Sequence, residues 1–177
     1  MKYTALFLLL FLPFTLSAEN TEWFVGVEGG ASGAKFSSDK IDSDRNYGPE
    51  YGIKIGLREE NSRLYLGYSE AKYTKGDIET AKTPYLALEG VSDTFTVIGK
   101  STAKFFFGVR AGASIADING TDKTAFMGGL QTGLIFLLPA DIEIELAYRH
   151  YLTYRERKTD FDAGTLYGSL NYRFYAF

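Results

Sequence analysis

The chain contains no cysteine and only one histidine among its 177 residues. Without cysteine there is no disulfide framework, and no thiol that could carry a lipid anchor behind a secretory leader. A lone histidine excludes a histidine cluster at metal-ligand spacing. Neither sign of charge dominates. A balance of 19 Lys+Arg against 22 Asp+Glu is too mild to suggest nucleic acid or a polybasic membrane patch. No segment beyond Phe14 is long and apolar enough for a spanning helix. A glycine-rich phosphate loop is missing too, because the Gly-x-Gly spacings fall inside strand-like segments.

What is present begins with the N-terminal segment. Lys2 is followed by an apolar run from Ala5 to Phe14, and small residues close the segment at Ser17 and Ala18. These are the three regions of a secretory signal peptide, with cleavage expected after Ala18. Pro13 and the shortness of the run argue against a membrane anchor, which needs ~20 apolar residues. Removing residues 1–18, whose only charge is Lys2, leaves 159 residues with 18 Lys+Arg against 22 Asp+Glu. The expected organisation is a signal peptide over 1–18 and one domain over 19–177.

That domain is rich in Tyr, Phe and Gly, and reading it for period two gives eight strands. The first runs from Trp23 to about Phe36, with Trp23, Val25 and Val27 opposite Phe24, Gly26, Glu28 and Gly30. The second sets Tyr51, Ile53, Ile55 and Leu57 against Gly52, Lys54, Gly56 and Arg58. The third sets Leu64, Leu66 and Tyr68 against Arg63, Tyr65, Gly67 and Ser69. The fourth lies within Pro84 to Lys100 and alternates well only at Phe95 and Val97. The fifth has Phe105, Phe107 and Val109 opposite Phe106, Gly108 and Arg110. The sixth has Leu130, Thr132, Leu134 and Phe136 opposite Gly129, Gln131, Gly133 and Ile135. In the seventh, Ile142, Ile144, Leu146 and Tyr148 alternate with Glu143, Glu145, Ala147 and Arg149. The eighth places Leu166, Gly168, Leu170, Tyr172 and Phe174 opposite Tyr167, Ser169, Asn171 and Arg173.

The connections sort by length. Turn-like pieces fall at Glu59 to Ser62, Lys100 to Ala103 and Leu138 to Asp141. Longer polar loops are expected at Ser37 to Tyr47, Thr74 to Thr83, Asp117 to Ala125 and Thr153 to Ala163. Short turns alternating with long loops are the rule for bacterial outer-membrane barrels, and a β-sandwich has no reason to follow it. The fold class expected is therefore all-β: an eight-stranded antiparallel up-and-down transmembrane barrel.

The polar faces of these strands would then fill the lumen, since eight strands leave room only for side chains. That interior set carries Glu28, Glu143 and Glu145 with Lys54, Arg58, Arg110, Arg149 and Arg173, which must pair if buried. Symmetric pairing of the last two strands would set Glu143 opposite Arg173.

The chain here resembles the small eight-stranded outer-membrane proteins of the OmpA transmembrane-domain and OmpX type. The leader, the hairpin pattern and the ending Gly168, Leu170, Tyr172 and Phe174 carry the resemblance. It implies the outer membrane of a Gram-negative cell, and biogenesis through the secretion channel, periplasmic chaperones and the barrel-assembly machinery. By the same resemblance the terminal strand is the assembly signal, with either Phe174 or Phe177 as its functional aromatic end. Tyr175, Ala176 and Phe177 extend past the expected stop, through a short tail or a bulge.

Candidate chemistry is sparse. His150 lies in a strand faintly like the histidine strand of outer-membrane lipid A deacylases. Position 152 is Leu, however, where that family's motif has a nucleophilic Ser, and alternation turns His150 outward with Tyr148. The stretch from Asp117 to Asp122 hints at a calcium loop, but its glycine is misplaced; Asn119 and Gly120 read better as a hairpin turn. Arg155, Arg157 and Lys158 form a basic cluster able to meet lipopolysaccharide phosphates, and a solvated loop is the alternative.

The leading functional reading is a structural or surface-interaction barrel (adhesion, envelope integrity) with no cofactor, no metal and no catalytic residues. Its expected partners are outer-membrane lipid, lipopolysaccharide and an extracellular ligand at the loops, with no nucleic acid, and a monomeric state is expected. A narrow channel for ions or small hydrophobic solutes is the alternative, ahead of a lipid A-modifying enzyme or a soluble periplasmic barrel. A membrane barrel needs an outward apolar belt about 25 Å tall and a charged interior; a soluble lipid-binding barrel needs the reverse.

Overall fold

In the computed structural model, residues 21–38, 41–42, 46–74, 78–98, 101–118, 120–154 and 159–175 are described. Ten strands occur among them: β1 (Glu22–Ser38), β2 (Ile41–Asp42), β3 (Asn46–Arg58), β4 (Ser62–Lys72), β5 (Ile78–Val91), β6 (Phe95–Ile98), β7 (Ser101–Ile118), β8 (Thr121–Leu137), β9 (Ile142–Tyr154) and β10 (Thr159–Phe174). Eight of them pair antiparallel in chain order, and β10 returns to β1 from Trp23↔Phe174 to Ser38↔Thr159. The sheet is closed. The short β2 and β6 are additions, paired to β1 and β7. The expected signal peptide lies outside the described residues.

Closure forces a choice of face on every strand, and alternation had made that choice. Val27, Ile53, Leu66, Leu130 and Leu166 are 53–61% exposed, whereas Arg63, Arg149, Glu89 and Glu145 are each 1% exposed. Greasy outside and charged inside is the arrangement that water disfavours and a bilayer favours. The barrel therefore sits in a membrane. Aromatic side chains bound the belt, with Trp23, Phe105, Phe107 and Tyr172 at the end that holds both termini, and Tyr47, Tyr51, Phe126 and Tyr148 at the other.

Three expectations need correction. The fourth barrel strand is β5, which starts at Ile78 and ends at Val91, while Phe95 to Ile98 is the separate β6. Pro84 is not its beginning but an interior residue. The β4–β5 ladder runs unbroken through Tyr68↔Pro84, and the β5–β7 ladder skips Thr83 and Pro84 between Lys82↔Ile115 and Tyr85↔Gly112. The missing proline N–H thus interrupts pairing on one side only.

The loops, in turn, are not sorted by length. β7 and β8 pair up to Ile118↔Thr121, and β9 and β10 reach Tyr154 and Thr159. The terminus-bearing end has brief connections at 59–61 and 138–141, yet residues 92–100 there form the most extended link, with β6 inside it. Polar composition marks water contact, and strands that protrude beyond the belt keep their backbone pairing in water. Asn119 lies outside the described residues, but Gly120 adopts φ 75°, as a two-residue hairpin turn requires.

The third correction is one of register. Glu143 is opposite Asn171, and the symmetric pairing with Arg173 is off by two residues.

Candidate functional site

The lumen is built from inward side chains in stacked layers of ion pairs. Towards the end away from the termini, Arg149 of β9 reaches Glu28 of β1 at 2.6 Å and Glu50 of β3 at 2.7 Å. Thr165 donates to the other Glu50 oxygen at 2.5 Å. The Arg149 guanidinium lies over the Tyr167 ring at 4.4 Å, and that of Arg110 over Tyr85 at 3.7 Å. Both contacts have cation–π geometry.

The middle layer centres on Arg63 of β4. It forks onto Glu89 through Nε at 2.6 Å and Nη2 at 2.5 Å, and its Nη1 donates to Glu145. Lys54 donates to the second Glu145 oxygen at 2.6 Å, and Asn171 to the first at 2.7 Å. Tyr65 and Gln131 both donate to Glu89 at 2.7 Å. The donors come from four strands, β3, β4, β8 and β10, so the layer cross-braces the barrel.

The lowest layer opens to the rim. Arg58 contacts Glu143, and Arg173 lies 3.6 Å from Glu143, 3.2 Å from Glu22 and 3.4 Å from Asp141. The Glu143–Arg173 contact is thus made diagonally, despite the shifted register. Arg173 is a rim residue, with its side chain 20% exposed, and not a lumen residue as expected. Just beyond it, Tyr175 donates to Glu22 at 2.8 Å, and that hydrogen bond to a carboxylate raises the phenol above its usual range.

Of the residues expected in the interior, Glu28, Lys54, Arg58, Arg110, Glu143, Glu145 and Arg149 are all buried. Arg63, Glu50 and Glu89 were missed. Arg63 already alternated with outward Leu64, so its face was legible. Glu89 was hidden by the misplaced fourth strand, and Glu50 by starting the second strand at Tyr51. Tallied over the buried set, five carboxylates face six cations, and Lys104 among the latter sits by the rim with its Nζ on the Glu60 carbonyl. The lumen is therefore close to neutral, and its side chains fill it.

The outer wall away from the termini carries a different set. Among and beyond the aromatic residues, outward positions turn charged: Glu70 and Lys72 of β4 lie 3.9 Å apart, and Lys82 of β5 sits directly opposite Glu70. His150 lies 3.8 Å from Asp162, both substantially exposed, and Lys35 is opposite Asp162. Leu152, two residues beyond His150, is 55% exposed on the same face. Asp117 and Asp122 oppose each other beside the Gly120 turn, and among the described residues no three potential metal ligands converge. Arg155, Arg157 and Lys158 lie outside the described residues, as does Phe177. Gly168, Leu170, Tyr172 and Phe174 sit on β10, whose ladder ends at Phe174, and the Tyr172 and Phe174 rings stack with centroids 6.2 Å apart.

No family profile and no curated protein matches the chain in sequence. Solved structures do match in shape. Neisserial surface protein A aligns with a TM-score of 0.60 at 18% identity, over 85% of this chain and 97% of that one. This is the fold of the small outer-membrane barrels. Outer membrane protein H of P. aeruginosa aligns with a TM-score of 0.54 at 18% identity, over 86% and 99% of the two chains. The outer membrane protein AlkL, solved in lipid bilayers, aligns with a TM-score of 0.52 at 13% identity, over 89% and 92%. Combined with the apolar belt and charged lumen, that shape is the one of an outer-membrane barrel.

Proposed function

We propose that this outer-membrane barrel is a structural and surface-interaction protein that holds lipopolysaccharide at its extracellular end. The observation that carries the reading is the contrast between lumen and collar. Inside, ion pairs brace strands across the lumen and occupy it with salt-bridged side chains, an arrangement that supports a structural role over a conducting one. Outside, Lys35, Lys72, Lys82 and His150 lie on the stretch of wall away from the termini that this reading sets against outer-leaflet phosphates, and the basic cluster Arg155, Arg157 and Lys158 follows β9 directly in sequence. Lysine and arginine suit phosphate oxygens as charge-assisted donors. An extracellular ligand would meet the same end, and the reading requires neither cofactor nor catalytic group. The His150 strand lacks the hydroxyl a deacylase needs, with Leu152 in its place.

Biogenesis on this reading follows the usual route: the leader over 1–18 directs export, chaperones carry the chain, and the assembly machinery reads β10 through Phe174 or Phe177. The mature protein acts as a monomer. The test is retention of lipopolysaccharide by the purified barrel. Replacing Arg155, Arg157 and Lys158 together by Gln is expected to lower retention while heat-modifiable gel migration persists. Unchanged retention would sink the proposal, and stepwise conductance of the wild type in planar bilayers would favour the channel instead.

A further inference from the structure

On the outer wall away from the termini, two sets of charged groups are built alike. In one, Glu70 of β4 has Lys72 at 3.9 Å along its own strand and Lys82 of β5 directly across the ladder. In the other, Asp162 of β10 has His150 of β9 at 3.8 Å and Lys35 of β1 directly across the ladder. Each set is one carboxylate between two basic side chains. Directly opposed residues share a face of the sheet. The exposed Lys72, and the exposed Leu152 opposite Asp162, therefore put both sets outside the barrel. Around the ring, β3 separates them on one side and β7 with β8 on the other.

The sets differ in one respect. A lysine ammonium keeps its charge through neutral pH, so the Glu70 set holds two positive charges to one negative throughout. In the Asp162 set one basic group is an imidazole, the side chain that gains its proton between about pH 8 and about pH 5. With a neutral imidazole that set sums to zero, and with an imidazolium it matches the other. The surroundings of His150 leave this change to the imidazole. Tyr148 precedes it on the same face, with its hydroxyl lying where a Cβ on Gly164 would stand 2.5 Å away, and Leu152 follows. Leu130 of β8 and Gly164 of β10 lie directly opposite, and the diagonal positions hold Gly128, Thr132, Asp162 and Leu166. Of these neighbours only Tyr148 and Asp162 are titratable, and tyrosine and aspartate ordinarily change charge outside that window.

We infer that these are two phosphate seats for outer-leaflet lipopolysaccharide: a constitutive one at Lys72 and Lys82, and a second at Lys35 and His150 that engages when His150 is protonated. The inference rests on the function proposed above and adds its regulation, since the barrel then grips lipopolysaccharide more firmly in acid. An imidazolium donates through both ring nitrogens and brings a charge to the phosphate oxygens. A neutral imidazole has one donor and no charge, and leaves Lys35 alone to offset the repulsion between Asp162 and a phosphate. The His150 and Asp162 side chains are 41% and 36% exposed, so a proton and a phosphate both reach them. Exposure also keeps the gain modest, at the scale of one surface charge pair.

The experiment measures lipopolysaccharide retained by the folded full barrel in detergent, at about pH 5.5 and about pH 8 and fixed ionic strength. The wild type is expected to retain roughly threefold more at the lower pH, the worth of one exposed charge pair. H150Q, with no charge to gain, should retain at both pH values what the wild type retains at the higher one. H150K, with a permanent charge, should retain at both what the wild type retains at the lower one. K72Q/K82Q should retain less throughout but keep the rise in acid. Protonation of the lipid phosphates acts on every variant alike and drops out of the comparison. Dephosphorylated lipopolysaccharide should show no rise that depends on His150. Heat-modifiable migration verifies that each variant is folded. A rise in acid that survives in H150Q, H150K behaving as H150Q, or a His150-dependent rise with the dephosphorylated lipid would each overturn the inference while leaving the proposed function standing. No retention by the wild type at either pH would overturn both.

Discussion

At the scale of single residues, Arg63 carries the most consequence. It is 1% exposed and holds Glu89 and Glu145 at once. Removing it leaves two buried carboxylates short of their cation, so Arg63→Met is expected to cost about 3–5 kcal/mol, measured by urea unfolding in lipid vesicles. A loss below about 1 kcal/mol would mean that the layer rearranges around the gap. His150 is the contrasting case. Its contact with Asp162 is long and exposed, so His150→Gln is expected to change stability by less than about 0.5 kcal/mol in the same assay. Which residues line the lumen was largely legible, because a period of two leaves only two faces to choose from. Who pairs with whom was not. Lys54 and Glu145 are 91 positions apart in sequence, and no local pattern specifies a contact across the barrel.

At the scale of elements, the instructive failures are β5 and the protruding hairpins. Glu89 and Ala87 sit inward on β5 and Leu86 and Leu88 outward, but Pro84 and the Thr80 to Thr83 stretch disguised its start. A polar hairpin above the belt reads as a loop because both of its faces meet water, so the alternation that reveals a strand is erased where its pairing continues.

Two predictions belong at this scale. In the β8–β9 turn, Ala140 and Asp141 both hold positive φ, at 63° and 58°. A β-carbon at Ala140 strains that conformation, and Ala140→Asn, with the side chain such turns prefer, should raise stability by about 0.5–1 kcal/mol in the vesicle assay. No gain would indicate that the turn relaxes at no cost. The ladder ends at Phe174, so deleting residues 175–177 is expected to leave the yield of folded barrel in vesicles intact, and Phe174→Ala to lower it. The opposite result would make Phe177 the residue that assembly needs.

At the scale of the whole molecule, stability rests on an inside-out division of polarity that only a bilayer supports. Its ion pairs are enclosed, and screening by salt acts on exposed charges. Raising ionic strength from about 0.1 M to about 1 M shortens the Debye length from about 10 Å to about 3 Å, yet the unfolding free energy should move by less than about 1 kcal/mol. A larger fall would mean that water and ions reach the lumen.

The sequence by itself determined the period of two, the apolar and polar faces, the even number of strands and hence a barrel for a membrane, because side-chain direction along a strand is a local property. Tertiary structure alone decided the register that puts Glu143 opposite Asn171, the joining of Arg63 to both Glu89 and Glu145, and the position of Arg173 at the rim. These depend on closure and stagger, which bring together strands distant in the chain. They are set by the packing of the whole ring, and no single strand contains them.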